Sequence, residues 1–179
     1  MIRCLITDGS ASRDAPRWLE HLVRWVGQGV ELVQIRERNL SARDLAELTR
    51  RVLAICQHRT KVLVNDRADV AIACGADGVH LRDGTAVNKF GRPAFLISAS
   101  CHDPAVAARF AAADYVLLGP IFSPLSKAFE GPPLGTGAIR EFTHASSVPV
   151  LALGGITVQN AAACIEAGAA GVAGITYFE

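Results

Sequence analysis

Residues 149–175 read PVLALGGITVQNAAACIEAGAAGVAGI, and this stretch decides the fold. Two short apolar runs, 149–153 (PVLAL) and 171–175 (GVAGI), flank a segment with a different period. Continuous rather than alternating hydrophobicity is what a parallel strand covered on both faces requires. Between the runs, Gly154-Gly155 breaks the strand and Thr157 starts a helix that carries Val158, Ala161, Ala162 and Ile165. Gly168 sits where that helix should stop. The stretch reads as one strand–helix–strand unit.

Outward from it the same alternation repeats. Strand-like runs fall at 2–7, 31–36, 61–65, 78–81, 95–99 and 115–118 as well. Trp18, Leu19, Leu22, Val23 and Val26 share one helical face, and Leu45, Leu48, Val52, Leu53 and Cys56 share another. Ser41 or Asn39 can cap the second of these helices, and Gly29 and Gly75 mark further helix ends. Eight strands, each mostly followed by a helix, predict a (β/α)₈ barrel or a large doubly wound sheet. One unit needs roughly 22 residues and eight need about 176, so a single barrel domain fills residues 1–179 with almost nothing spare. The eighth helix has no residues left to form it. Strands eight and one would then share an uncovered outer face, which predicts a homo-oligomer.

The composition agrees. Half the residues are hydrophobic, 20% are charged and 6% aromatic, which excludes a disordered or collagen-like chain. Eighteen basic against seventeen acidic side chains leave a net charge of +1 with no long basic run, so nothing supports a nucleic-acid or membrane-surface role. No apolar stretch reaches membrane-span length and the N-terminus turns polar too soon for a signal peptide, pointing to a cytoplasmic enzyme. The five cysteines are scattered without CxxC spacing, against a disulfide framework or zinc site. Cys101, between Ser100 and His102, is either a small buried hydrophobe or a nucleophile in need of a base.

In a (β/α)₈ barrel, polar residues at the strand exits point into one mouth, where the chemistry sits. Here these are Gln34, Arg36 and Arg38; Asn65 and Asp66; His80 to Asp83; Ser100 and His102; Ser126 and Lys127; Gly154, Gly155 and Thr157; and Thr176. Several cations with one or two carboxylates and glycine-rich turns suit an anionic, phosphorylated small molecule. The Gly154-Gly155-Ile156-Thr157 turn is either a phosphate cradle under a helix N-terminus or simply a tight turn. Arg36 and Arg38 either bind phosphate or pair with Glu37 and Glu31. Asp66 either binds magnesium or caps the following helix. Lys127 is either a lid residue in the Pro-, Gly- and Ser-rich loop 119–137 or a solvated lysine. His80 reads as packed, and His102 is the better acid/base candidate.

These residues, taken in order, are recognisable. Gln34-Ile-Arg36-Glu-Arg38, Asn65-Asp66-Arg67, Ala76-Asp-Gly-Val-His80-Leu, Gly119-Pro-Ile-Phe, Lys127, Ala152-Leu-Gly154-Gly155-Ile-Thr157 and Ala167-Gly-Ala together resemble the thiamine phosphate synthase superfamily, which includes the thiazole tautomerases. The likeness runs from about residue 2 to 177 and implies the same barrel. It implies an enzyme of thiamine biosynthesis, a transferase joining an aminopyrimidine methyl diphosphate to a thiazole phosphate with release of pyrophosphate. By position, Gln34, Arg36 and Arg38 match the diphosphate-binding motif and Asn65 a substrate ligand. Asp66 matches the first ligand of Mg2+, and Ser100 a pyrimidine or diphosphate contact. Lys127 matches the lid lysine, preceded by Ser126, while Gly155 matches a thiazole-phosphate contact and Thr176 the serine ending strand eight. The family's second magnesium aspartate would fall near Thr85, so Asp83, in a shortened turn, is the candidate second metal ligand. The lid has become Pro124-Leu125-Ser126-Lys127. The tautomerase histidine would correspond to Pro120, which leaves His102 as the base for an isomerase. A non-catalytic binder of phosphorylated ligands is the third reading.

Overall fold

The computed structural model describes residues 1–87, 94–123 and 131–175. Lys127 and Ser126 of the lid and Thr176 after strand eight lie outside these residues. Eight parallel strands form a closed barrel in sequence order. They are β1 (Ile2–Ile6), β2 (Leu32–Ile35), β3 (Lys61–Asn65), β4 (Gly78–Leu81), β5 (Leu96–Cys101), β6 (Tyr115–Leu118), β7 (Val150–Leu153) and β8 (Gly171–Gly174). Closure comes from β1 pairing with both β2 (Cys4 opposite Leu32) and β8 (Ile2 opposite Gly171). The doubly wound alternative is thereby excluded.

Six α-helices lie on the outside: α1 (Ser10–Arg13), α2 (Ala15–Gly27), α3 (Ala42–Cys56), α4 (Ala68–Cys74), α5 (Gly137–Ala145) and α6 (Ala161–Glu166). A 3₁₀ segment, Pro104–Phe110, replaces an α-helix after β5. Ser41 is the cap of α3, its hydroxyl accepting from Asp44 N. Asp14 caps α2 in the same way through Arg17 N. The expected α6 is shorter than its periodicity indicated. Thr157 N donates to Asn160 Oδ1 (2.8 Å) and Asn160 N to Thr157 Oγ1 (3.3 Å), so the first turn is spent on a reciprocal cap and regular helix begins at Ala161. Among the described residues, no helix separates β4 from β5 and none follows β8.

Strand alternation divides the core. Cys4, Ile6, Leu32, Leu63, Tyr115, Leu117, Leu151 and Ala173 pack inside the barrel. Their neighbours on the strands, among them Val33, Val64, Val79, Ile97, Val116 and Val172, pack outward against the helices. Both strand faces are thus dry, which is why the runs read as continuously apolar. β5 runs two residues beyond its expected end at residue 99. That extension keeps Ser100 on the strand rather than in the exit loop and puts Cys101 in the outer core beside Ile97 and Ala99. Cys101 is fully buried, its thiol donates to Asp103 O at 3.1 Å, and burial raises its pKa. It is packing, and the nucleophile reading falls.

Candidate functional site at the barrel mouth

The upper barrel interior is polar on the β2–β5 side. Gln34 Nε2 donates to Asn65 Oδ1 (3.0 Å), and Asn65 Nδ2 donates to Asp66 Oδ2 (3.0 Å). Beside this chain, His80 is buried with both ring nitrogens engaged: Nδ1 with Ser98 Oγ (2.8 Å) and Nε2 with Ser100 Oγ (2.9 Å). Burial pushes the imidazole down to about 4; Asp66 opposes the fall and Arg36 adds to it. At neutral pH His80 is therefore uncharged, one nitrogen donating and the other accepting, and it holds the Ser100 hydroxyl in place. The expected packed histidine turns out to be a clamp on a candidate substrate contact.

The cations gather at the exits of β2, β3 and β4. Arg36 is half-buried and sits within electrostatic reach of Arg38, Asp8, Asp66 and Glu37; burial and then Arg38 lower its pKa. Its backbone N donates to Thr7 Oγ1 (2.7 Å), tying the exits of β1 and β2 together. Neither alternative ion pair forms. Glu37 is buried and accepts from the backbone of Gly9 and Ser12, each at 3.1 Å, while Glu31 pairs with Arg3 at 3.8 Å. Of the two, Arg38 borders the pocket at these exits, while Arg36 has Asp8 and Asp66 within electrostatic reach. A pocket of about 320 Å³ opens here, bordered by Arg38, Arg67, Arg82, Asn65, Asp66 and Glu37.

Asp66 does not cap α4, whose start has no side-chain cap. Its backbone is left-handed (φ +57°) and its N donates to His80 O at 2.8 Å. Its carboxylate faces β4 instead: Oδ1 accepts from Arg82 N (3.0 Å), and Oδ2 lies 3.4 Å from Arg82 Nε. Asp83 turns back on its own loop, Oδ1 accepting from Gly84 N at 2.8 Å. The two carboxylates expected to share magnesium are thus engaged separately. Asp66 also has the Arg82 guanidinium against its Oδ2. Among the described residues, no cluster of three or more His, Cys, Asp or Glu could hold a metal. As they stand, Asp66 and Asp83 do not form a two-carboxylate magnesium site, each being engaged elsewhere.

Just after β5, His102 Nδ1 donates to Gly119 O. The Gly154-Gly155 turn is a close backbone crossing. A Cβ on Gly154 would lie 2.6 Å from Pro120 Cβ, and one on Gly155 2.4 Å from Ser123 O. Both residues have positive φ, and Phe122 N donates to Gly154 O at 3.0 Å. Glycine is required there by packing against the β6 loop. The helix-terminus argument for a phosphate cradle weakens, because Thr157 N is already taken by Asn160 and α6 starts later.

The chain is a closed parallel (β/α)₈ barrel with cations and amides gathered at the strand C-terminal ends, the end at which barrel enzymes carry their chemistry. The comparisons narrow this. The thiamine monophosphate synthase family profile matches residues 3–178, and the chain belongs to that family. It is 37% identical over 167 residues to a putative thiamine-phosphate synthase 2 of Aquifex aeolicus, covering 90% of this chain and 89% of the relative. It is 44% identical over 155 residues to a thiamine-phosphate synthase of Methanoculleus marisnigri, covering 83% and 74%. The solved thiamine phosphate pyrophosphorylase of Pyrococcus furiosus superposes with a TM-score of 0.83 at 28% identity, covering 98% of this chain and 85% of the other. No helix among the described residues is long and apolar enough to cross a membrane.

Proposed function

We propose that the chain is a thiamine phosphate synthase: a transferase that joins an aminopyrimidine methyl diphosphate to a thiazole phosphate and releases pyrophosphate. Family membership supports this reading, and one structural observation carries it: the arginines at the exits of β2, β3 and β4 border a single pocket beside Asn65 and Asp66. The reaction breaks the bond from the pyrimidine's methyl carbon to the diphosphate oxygen, and the electron pair leaves on that oxygen. The thiazole nitrogen then bonds to the carbon. Charge grows on the departing diphosphate, so fixed cations at its oxygens lower the barrier. In this reading Arg36 and Arg38, just after β2, take that role. Asn65 is oriented by Gln34, and Ser100 is oriented by His80 to contact the pyrimidine or diphosphate. The family resemblance adds Lys127 and Ser126 over the mouth, with Gly155 and Thr176 toward the thiazole phosphate.

This reading includes a cytoplasmic setting, phosphorylated small molecules as the partners, and a homo-oligomer. Incubation with both substrates, followed by chromatography for thiamine phosphate, tests it; no product in any divalent-ion condition refutes it. A thiazole phosphate tautomerase is the second reading. It rests on His102, whose Nδ1 donates to the carbonyl of Gly119, the residue before Pro120. Isomerisation of the thiazole carboxylate phosphate without formation of thiamine phosphate would select it.

A further inference from the structure

Arg82 grips Asp66 twice, through its backbone N (3.0 Å) and through Nε (3.4 Å). The carboxylate also accepts from Asn65 Nδ2 at 3.0 Å. A divalent cation at this carboxylate would approach a guanidinium of like charge. A guanidinium has five N–H donors in a planar fork suited to phosphate oxygens. The ion pair engages Nε, and among the described residues nothing takes the terminal amino groups of Arg82. Arg82 borders the same pocket as Arg38 and Arg67. Arg67 is partly spent on Asp69, at 2.8 and 2.6 Å, and Glu37 is spent on the backbone of Gly9 and Ser12. Among the described residues Arg38 and Arg82 have both terminal amino groups to offer an anion and Arg67 has one, and Asp66 is the strut that aims Arg82.

We propose that Arg82 occupies the place of a divalent cation above Asp66, making this pocket a metal-independent diphosphate site in which Arg82 and Arg38 bind the phosphate oxygens. The proposal rests on the synthase reading and deepens it. Positive charge that a soluble ion would bring to the departing diphosphate is carried on the chain itself. Asp66 is then a positioning residue rather than a metal ligand, and Asp83 has no part in diphosphate binding.

The test is calorimetry of the full chain with inorganic pyrophosphate, in EDTA and in magnesium, for the wild type, Arg82→Ala, Arg82→Lys and Asp83→Ala. The wild type and Asp83→Ala should bind in EDTA about as tightly as in magnesium. Arg82→Ala should lose at least about tenfold in EDTA, the effect of a lost hydrogen bond between charged groups. It should recover part of that loss in magnesium, because Asp66 is then exposed to the ion. Arg82→Lys keeps the charge without the fork and should fall between the two. Wild-type binding that needs magnesium, or an Arg82→Ala variant that binds like the wild type, overturns the proposal. Running the synthase assay in both buffers separates the two readings. Turnover confined to magnesium overturns the arginine substitution and leaves the synthase standing. Metal-free pyrophosphate binding without turnover in either buffer supports the anion site and refutes the synthase. No binding and no turnover in either buffer refutes both.

Discussion

His80 makes a measurable acid weakness. Its imidazole is buried between Ser98 and Ser100, and burial lowers its pKa from 6.5 to about 4. The unfolded chain therefore binds a proton at this residue between those two values while the folded chain does not. Stability is unaffected above the unfolded value and falls as pH drops through the window. With these values the loss is about 2 kcal/mol at pH 5 and about 3 kcal/mol near pH 4. His80→Gln keeps a donor and an acceptor for the two serines but cannot titrate. Urea unfolding of both proteins at pH 7 and pH 5 measures the effect. Whatever the substitution costs at pH 7, the gap between wild type and variant should shrink by about 2 kcal/mol at pH 5. His80→Asn provides a second, smaller side chain should glutamine pack poorly. A gap that stays constant with pH in both variants would show that His80 is not held neutral by burial.

Gly155→Ala should destabilise by about 2 kcal/mol or more, because the new methyl must enter a positive-φ position beside a backbone carbonyl; a melt within a degree or two of wild type would contradict the crossing described. Glu37→Ala should cost about 3 kcal/mol, since two backbone donors lose a charged acceptor, and Glu37→Gln roughly half of that; urea titration reads both, and equal stability would refute the tie to Gly9 and Ser12. Light scattering at micromolar concentration should give a mass above that of one chain, and a monomer would remove the oligomer from the functional reading.

The strands were legible because a barrel strand is dry on both sides, so each leaves an unbroken apolar signature such as YVLL at β6. Their order followed from chain length and alternation. The site was legible only as a roster. Gln34, Arg36, Asn65, Asp66, Ser100 and His102 do reach the mouth, but what each touches depends on partners elsewhere in the chain. His80 meets serines 18 and 20 residues away, and Asp66 meets Arg82 across 16. Nothing local signals either contact. Arg82 stood among the mouth residues without a role, since an arginine in an Arg-Asp-Gly turn looks like any solvated side chain. Glu37 misled in the opposite sense: flanked by arginines, it suggested an ion pair, yet its carboxylate goes to the backbone of the β1 exit. The Thr157–Asn160 cap carries Asn where a capping box has Glu or Gln, so the stretch TVQN does not announce it.

The pairing of β1 with β8 has a consequence for the order of assembly. Ile2 lies opposite Gly171 and Leu5 opposite Gly174, so the first strand made at the ribosome waits for the last before its second edge is satisfied. Every other pairing joins strands that follow each other in the chain and can zip up progressively, whereas this one must close a loop of nearly the whole molecule. During synthesis β1 therefore has one edge with unpaired backbone donors and acceptors, the kind of edge that recruits other chains. Closure of the barrel waits for β8. A chain stalled or cut after Leu153 would keep the arginine-lined exits of β2, β3 and β4, yet it would have an open sheet with two sticky margins.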